Sequence, residues 1–238
     1  MNITFLGTSH GIPEPNRRCS CTMLEFNDNI YFIDMGVMAI YDMITLGKKV
    51  ENVKSIFITH LHGDHSNGLF SFIDLINWYY KLSNPSIIIP NINAEKIFDE
   101  WLNITKTKSK KINYIETVDG LVYKDNNIIV TAQKTMHCNR SFAYLIENND
   151  KRILFTGDLS NPSVDFPSEL CKNKIDLAVI EAAHFPVTEY SPIIEKYNFQ
   201  NIIFNHYAPW NIPNIQKLIT KYNDKNILLS NDYLQYSL

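Results

Sequence analysis

The sequence predicts an α/β fold in which two β-sheets are covered by helices. Three observations support this prediction: short apolar runs recur along the chain, helical patterns alternate with them, and the first third contains a strand meander. The runs are rich in Ile, Val and Phe and are short enough to be strands. Each later run closes just before a polar residue, and open α/β sheets assemble their sites at strand ends in this way.

The first third of the chain predicts strands joined by tight turns. Apolar segments at residues 2–7, 21–27 and 30–34 form the meander, and Asn27-Asp28-Asn29 is typical of a turn. A helix is expected next, over residues 37–46.

Five further apolar runs each lead to a side chain that can bind a metal ion or transfer a proton. The runs are residues 55–58, 128–131, 152–155, 177–180 and 201–204, and the side chains that follow them are His60, His137, Asp158, His184 and His206. Because loops at one sheet edge can meet around a common point, we expect these side chains to converge.

Helical patterns fill the intervals between these strands. Apolar residues follow the 3.6-residue spacing from Leu69 to Tyr80, with Asp64 just before the helix begins. Further helices are expected near residues 93–103, 190–197 and 213–222. Trp78, Tyr79 and Tyr80 could line a pocket, but we predict that they pack in the core.

The most specific chemical signal is the string Thr59-His60-Leu61-His62-Gly63-Asp64-His65. Histidine is the commonest neutral metal ligand and a carboxylate supplies an anionic partner. The string therefore indicates ligands for zinc or a similar divalent ion. In extended backbone, alternate side chains point the same way, so His60 and His62 can reach one ion.

Composition and charge narrow the function classes. The chain has 238 residues and a net charge of −3, which gives no general attraction for nucleic acid. The N-terminus lacks the features of a signal peptide, and no apolar run is long enough to span a membrane. We therefore expect a single domain over residues 1–238, in a cytoplasmic protein without membrane contact.

The order of the candidate ligands along the whole chain resembles that of the metallo-β-lactamase superfamily: His60-x-His62-x-Asp64-His65, then His137, Asp158 and His206. The resemblance implies a four-layer αββα sandwich. It also implies that one metal ion is bound by His60, His62 and His137 and a second by Asp64, His65 and His206, with Asp158 bridging. The expected cofactors are two divalent ions, zinc first, with manganese or iron(II) as alternatives.

Within the superfamily, two segments look like the phosphodiesterase branch, namely residues 5–13 and 137–144. That branch includes the tRNA-processing endonuclease ribonuclease Z and the phosphodiesterase of the carbon–phosphorus lyase pathway. In it a histidine upstream of the last ligand acts as proton donor, and His184 is similarly placed. Ribonuclease Z carries a long arm between the third histidine ligand and the bridging aspartate, whereas Asp158 follows His137 by only 21 residues.

The favoured function is that of a dinuclear metal-dependent phosphodiesterase acting on a small anionic substrate through a metal-bound hydroxide. Asp64 and His184 are the candidate catalytic residues, and His184 would protonate the leaving group. A thioesterase or lactonase on the same ligands is the alternative. Processing of tRNA 3′ ends, and nucleic acid as a partner, are less favoured, and a homodimer is left open.

For four polar residues near these motifs, the sequence allows two interpretations each. His10 either contacts the substrate or is a solvated loop residue. Asp34 either orients a ligand histidine or caps the helix that follows it. Arg140 and Ser141 either hold a phosphate oxygen or lie on the surface.

Overall fold

The structure is a computed structural model that describes residues 1–110, 112–149 and 151–238. Two seven-stranded sheets pack face to face, and helices cover the outer face of each sheet. The predicted four-layer αββα sandwich is therefore confirmed. Within the described residues, no helix combines the length and the apolar character needed to cross a membrane.

The first sheet contains the predicted meander. Its strands are β1 (Asn2–Gly7), β2 (Cys21–Phe26), β3 (Asn29–Met35), β4 (Val53–Phe57), β5 (Ser86–Ile89) and β6 (Asn113–Glu116). A last strand near the C-terminus, Gln235–Ser237, pairs antiparallel with β1. The β1–β2 and β2–β3 pairs are antiparallel, and the pairs from β3 to β6 are parallel.

The second sheet has the same arrangement, with antiparallel strand pairs followed by parallel ones. Its strands are β7 (Gly120–Lys124), β8 (Ile129–Thr135), β9 (Ser141–Asn148), β10 (Lys151–Phe155), β11 (Leu177–Ala182), β12 (Asn201–Tyr207) and β13 (Asn226–Leu229), so the C-terminal strand above is β14. Pairs from β7 to β10 are antiparallel, and pairs from β10 to β13 are parallel. All five strands predicted to precede site residues are present.

Seven α-helices are described: α1 (Ala39–Thr45), α2 (Gly63–Ser66), α3 (Gly68–Trp78), α4 (Ala94–Thr105), α5 (Pro162–Asp165), α6 (Ser191–Lys196) and α7 (Ile212–Lys221). Helices α1, α3 and α4 pack on the first sheet, and α6 and α7 pack on the second. Pro192 and Pro213 lie in the first turns of α6 and α7, where a missing N–H costs no helical hydrogen bond.

Strands buried on both faces explain the continuous apolar runs in the sequence. In β3, Tyr31 and Ile33 face the opposite sheet, whereas Phe32 lies between them and packs under the helices. This alternation follows from the two-residue period of a strand. One set of apolar residues therefore fills the space between the sheets, and the other holds the helices in place.

The prediction that Trp78 and Tyr79 pack in the core is wrong. They are 53% and 64% exposed, whereas Tyr80 packs partly buried against the core. The inward stripe of this segment runs through Ile73, Ile76 and then Tyr80, at helical spacing. Trp78 and Tyr79 fall outside that stripe and lie on the surface.

Candidate dinuclear metal centre

The candidate ligands meet at the edge of the sandwich where the carboxyl ends of several strands lie. His60 follows β4, His137 follows β8, and Asp158 follows β10. His206 lies in β12 next to a register shift and has a positive φ of 49°, a conformation uncommon outside glycine. A strained backbone conformation of this kind is typical of positions where the fold directs a functional side chain into a site.

One group of side chains contains three histidines. Nε2 of His60 lies 3.0 Å from Nδ1 of His62, which in turn lies 3.2 Å from Nε2 of His137. These three side chains can present one nitrogen each to a common point. Three converging imidazoles are a frequent protein ligand set for zinc.

A second group contains Asp64, His65 and His206, which can likewise hold one ion. Oδ2 of Asp64 lies 3.2 Å from Nε2 of His65 and 3.8 Å from Nε2 of His206. Asp64 lies in the first turn of α2, so this short helix positions it beside His65.

Asp158 lies between the two groups. Its Oδ2 is 3.7 Å from Nε2 of both His60 and His137 and 3.4 Å from Nε2 of His206. Its Oδ1 is 3.5 Å from Nε2 of His65. One carboxylate therefore reaches ligand nitrogens of both groups.

Buried atoms without partners show that the donor set fits metal ions. Within the described residues, Oδ1 of Asp158 and Nε2 of His65 are buried and have no hydrogen-bond partner. Buried polar atoms are normally paired, so each such atom calls for an explanation. A cation between them would satisfy both. Burial also lowers the pKa of His60 to about 2, which keeps its ring neutral and its lone pair available.

The charged groups of the centre stabilise one another's ionised forms. Burial opposes ionisation of Asp158, but His206 and His65 outweigh it and hold the pKa of this carboxyl well below its usual value. Burial likewise opposes the charged form of His65, but Asp158 and Asp34 raise its pKa well above the ordinary value. Protons therefore compete with metal ions for His65.

Asp34 orients His65 and does not cap a helix. Its Oδ2 lies 2.7 Å from Nδ1 of His65, and Thr59 donates both its backbone N–H and its hydroxyl to the same carboxylate. Helix α1 begins at Ala39, and its N-cap is Met38. A carboxylate on Nδ1 fixes the ring so that Nε2 faces the centre.

His184 lies beside the centre, with Nε2 3.7 Å from Oδ2 of Asp158. Its Nδ1 lies 2.9 Å from both carboxylate oxygens of Glu181. Burial lowers the pKa of His184, but Glu181 outweighs it through a hydrogen bond and its charge and raises that pKa to about 9. His184 can also form a metal-binding group with His137 and Asp158.

Sequence reasoning did not identify Glu181. This side chain is buried, and it also accepts the backbone N–H groups of Leu159, Ala183 and His184. A carboxylate three residues before a candidate acid, at the end of an otherwise apolar strand, was the signal available in the sequence.

The remaining polar candidates have their own partners. Nδ1 of His10 lies 3.1 Å from Glu14, and its ring meets that of Trp210 edge-on with 4.9 Å between centroids. Arg140 pairs with Glu116.

Ser141 does not lie on the surface, as one interpretation had it. It is buried, and its hydroxyl accepts a hydrogen bond from Thr135 and another from the backbone N–H of Cys138. It therefore shapes the loop that carries His137.

Comparison with protein families gives one match over most of the chain. A family model described as the anti-Pycsar protein Apyc1 matches residues 1–182. Among curated proteins, ribonuclease Z of Listeria monocytogenes serotype 4b is 33% identical over 156 residues, covering 64% of this chain and 51% of that protein. Ribonuclease Z of Oceanobacillus iheyensis is 30% identical, covering 63% and 51%. The chain thus spans about half the length of these curated relatives.

Solved structures match almost the entire chain. Human tRNase Z, short form, aligns with a TM-score of 0.79 at 19% identity, over 100% of this chain and 99% of that one. The metallo-β-lactamase fold protein YhfI of Bacillus subtilis aligns at 0.80 and 16%, over 99% and 98%. A diphosphatase from the PhnP family aligns at 0.72 and 14%, over 100% and 97%. At these identities the likeness concerns the fold.

Proposed function

The chain belongs to the Apyc1 family and has a metallo-β-lactamase fold, and from this premise we propose that it is a metal-dependent hydrolase of small phosphodiesters. The resemblance noted in the sequence, to this superfamily near ribonuclease Z and the carbon–phosphorus lyase phosphodiesterase, is confirmed. The observation that carries the proposal is the shared carboxylate of Asp158, which joins two three-residue ligand groups into one centre.

We assign His60, His62 and His137 to one divalent ion, Asp64, His65 and His206 to the other, and Asp158 to both. Nitrogen and oxygen donors alone suit zinc, with manganese or iron(II) as alternatives. Two such ions, when bound, supply a nucleophile from water at neutral pH and neutralise charge on a phosphoryl group.

Charge favours a phosphodiester over a thioester or a lactone. His65 and His206 help to hold the pKa of Asp64 below its usual value, although burial opposes this, so Asp64 and Asp158 are both ionised at neutral pH. Two divalent ions and two carboxylates leave a net positive centre. An anionic phosphodiester gains from that charge, whereas a neutral carbonyl substrate gains less.

His184 is the proposed proton donor to the leaving group. The pKa of about 9 keeps its imidazole charged at neutral pH, and Glu181 holds Nδ1 so that Nε2 faces the centre. General acid help of this kind is worth about 10²- to 10⁴-fold in rate.

Cleavage of RNA is the second candidate function, because the curated relatives that match are ribonucleases Z. This similarity weighs against the expectation that nucleic acid is an unlikely partner. The small substrate is preferred here, since β9 and β10 occupy the interval in which ribonuclease Z carries its arm. The cytoplasmic location stays a prediction.

The proposal is tested with purified, metal-loaded protein on three substrate classes. Bis-p-nitrophenyl phosphate and a panel of cyclic and linear nucleotide diesters should be hydrolysed, and a chelator should abolish the rate. An acyl thioester and a lactone should react far more slowly. Hydrolysis of the thioester or the lactone alone would replace the proposed function by the carbonyl alternative.

A further inference from the structure

The loop that carries His137 is held by hydrogen bonds and not by apolar packing. It joins β8 to β9 over residues 136–140, and none of these residues is buried. Met136, which precedes His137, is 64% exposed. A candidate ligand on such a loop needs another constraint, because metal affinity depends on how firmly the ligand nitrogen is held in place.

Asp165 supplies that constraint from the neighbouring loop. It is the last residue of α5, and this helix follows the loop that carries Asp158. Oδ2 of Asp165 accepts the backbone N–H of Met136 at 2.7 Å and that of Ser160 at 2.9 Å. Its Oδ1 accepts the backbone N–H of Asn161 at 3.1 Å. One carboxylate oxygen therefore joins the two loops that carry candidate ligands.

The chemistry of a carboxylate suits this position. Asp165 is only 7% exposed, and a buried carboxylate is costly unless it accepts hydrogen bonds. Here three N–H donors meet two charged oxygens, and hydrogen bonds to a charged acceptor are stronger than those between neutral groups. An amide oxygen could accept two of the three N–H groups, but the NH₂ group of the amide would then face the third.

A second buried side chain joins the same two loops. Oγ1 of Thr135, the last residue of β8, lies 3.2 Å from the backbone oxygen of Asp158 and 2.8 Å from Oγ of Ser141. Two separate polar links therefore hold the loops together. The ligand atoms that they bring together, Nε2 of His137 and Oδ2 of Asp158, lie 3.7 Å apart.

We propose that Asp165 is a positioning residue of the metal centre, which sets the distance between His137 and the carboxylate of Asp158. Asp165 acts through the backbone of Met136 and Ser160 and is not itself a ligand. Without this link the loop of His137 is free to move, so the ion assigned to the three-histidine group should bind more weakly. The inference rests on the proposed function for the presence of that ion.

The experiment titrates the metal-free protein with cobalt(II), whose visible absorption reports the geometry of its ligands. Asp165→Ala should raise the Kd of one cobalt ion about tenfold and change its absorption, since residues that orient ligands typically contribute about 10- to 100-fold to metal affinity. Asp165→Asn should give a smaller loss, because its amide oxygen can still accept the N–H groups of Met136 and Ser160.

Asp176→Ala is the matched control. Asp176 is 5% exposed, and its Oδ2 accepts the backbone N–H of Arg152 at 2.9 Å. It precedes β11, at the end of that strand remote from His184 and the metal centre. Both alanine variants should lower the free energy of unfolding of the metal-free protein, but Asp176→Ala should leave the Kd and the cobalt absorption unchanged.

An unchanged Kd and an unchanged cobalt absorption in Asp165→Ala would show that this carboxylate only stabilises the fold and would overturn the proposal. If Asp165→Ala does not fold, Asp165→Asn decides by the same two measurements. A wild type that binds two ions but hydrolyses no phosphodiester would reject the proposed function alone, because the comparison of Kd values does not use activity.

Discussion

Asp158 is the residue that the two proposed metal-binding groups share. Its two oxygens point to different histidines, Oδ1 to His65 and Oδ2 to His60, His137 and His206. Its backbone is positioned by Gly157, which has a φ of 59°. Removing this carboxylate should therefore affect the whole centre, whereas removing one histidine should affect one side of it.

Metal content tests this difference. The wild type should contain close to two ions per chain after purification without chelator. Asp158→Ala should lose both ions together, because its two oxygens face nitrogens of both groups. His60→Ala should lose mainly one, because His60 is assigned to a single ion. Elemental analysis measures the ratio, with His10→Ala as a control that keeps two ions. A wild type with one ion even after reconstitution would remove the dinuclear assignment.

The role of His184 can be separated from metal binding by the choice of leaving group. His184→Ala should keep both ions and lose rate on an alkyl ester, whose alkoxide leaves poorly without a proton. The loss should be much smaller on a p-nitrophenyl ester, whose phenolate leaves unaided. Equal losses on the two esters would reject the proton-donor role, and loss of an ion would make His184 a ligand.

The pH dependence of activity tests whether Glu181 raises the pKa of His184. The charged form of His184 donates the proton, and its pKa is raised to about 9. Activity that needs this proton is therefore present below about pH 9 and is lost as the pH rises through that value. Glu181→Gln removes the negative charge, so the alkaline limb of kcat should move to lower pH. An unchanged limb in this variant would show that Glu181 does not set the titration.

At the scale of elements, the burial of a strand affects how clearly its sequence predicts it. The runs that became β4, β10, β11 and β12 are buried on both faces, so they read as unbroken apolar segments. The half-exposed strands β6 and β7 carry a weaker pattern and were not predicted. Burial is not sufficient, because β5 and β9 are largely buried and were not predicted either. The pairing of β14 with β1 joins opposite ends of the chain, and no local sequence pattern predicts it.

The turn after β10 shows how an element end fixes a ligand. Gly157 combines a positive φ with close packing, since a Cβ at this position would stand 2.9 Å from Cβ of Thr59. Side chains rarely tolerate either condition. The turn is therefore built for glycine, and its shape sets the direction of Asp158.

Gly157→Ala should destabilise the protein more than an alanine placed at an equally strained but open position. Gly47 is that control, because its φ is 67° and a Cβ added there would have no neighbour within 4 Å. Backbone strain costs about 1–3 kcal/mol at each site. The clash with Thr59 adds to this only at Gly157. Free energies of unfolding from urea titration measure the difference, and equal values for the two variants would contradict the argument.

At the scale of the whole molecule, the sandwich brings together ligands that are far apart in sequence. The histidine-rich segment of residues 60–65 was recognisable as a candidate metal site, because three histidines and an aspartate at that spacing have few structural uses. Glu181 and the contact of His10 with Trp210 were missed, because tertiary packing creates them. We propose that residues 1–238 form one domain, since a common core fills the space between the sheets.

The same architecture bears on RNA as a substrate. Apart from residue 150, the chain between His137 and Asp158 is described, and β9 and β10 account for most of it. This region therefore offers no projecting arm to hold a folded RNA at a distance from the centre. A net charge of −3 adds no compensating attraction for the phosphate backbone.

We therefore expect the metal-loaded protein to cleave precursor tRNA slowly and without a preferred position, at a rate far below that on small diesters. Gel analysis of end-labelled precursor measures both rate and position, with Asp158→Ala as the control for contaminating nucleases. Raising the salt concentration should change hydrolysis of the small diester little, since that substrate makes few ionic contacts. Efficient cleavage at the 3′ end of the acceptor stem would show that the chain recognises tRNA without an arm and would make RNA its substrate.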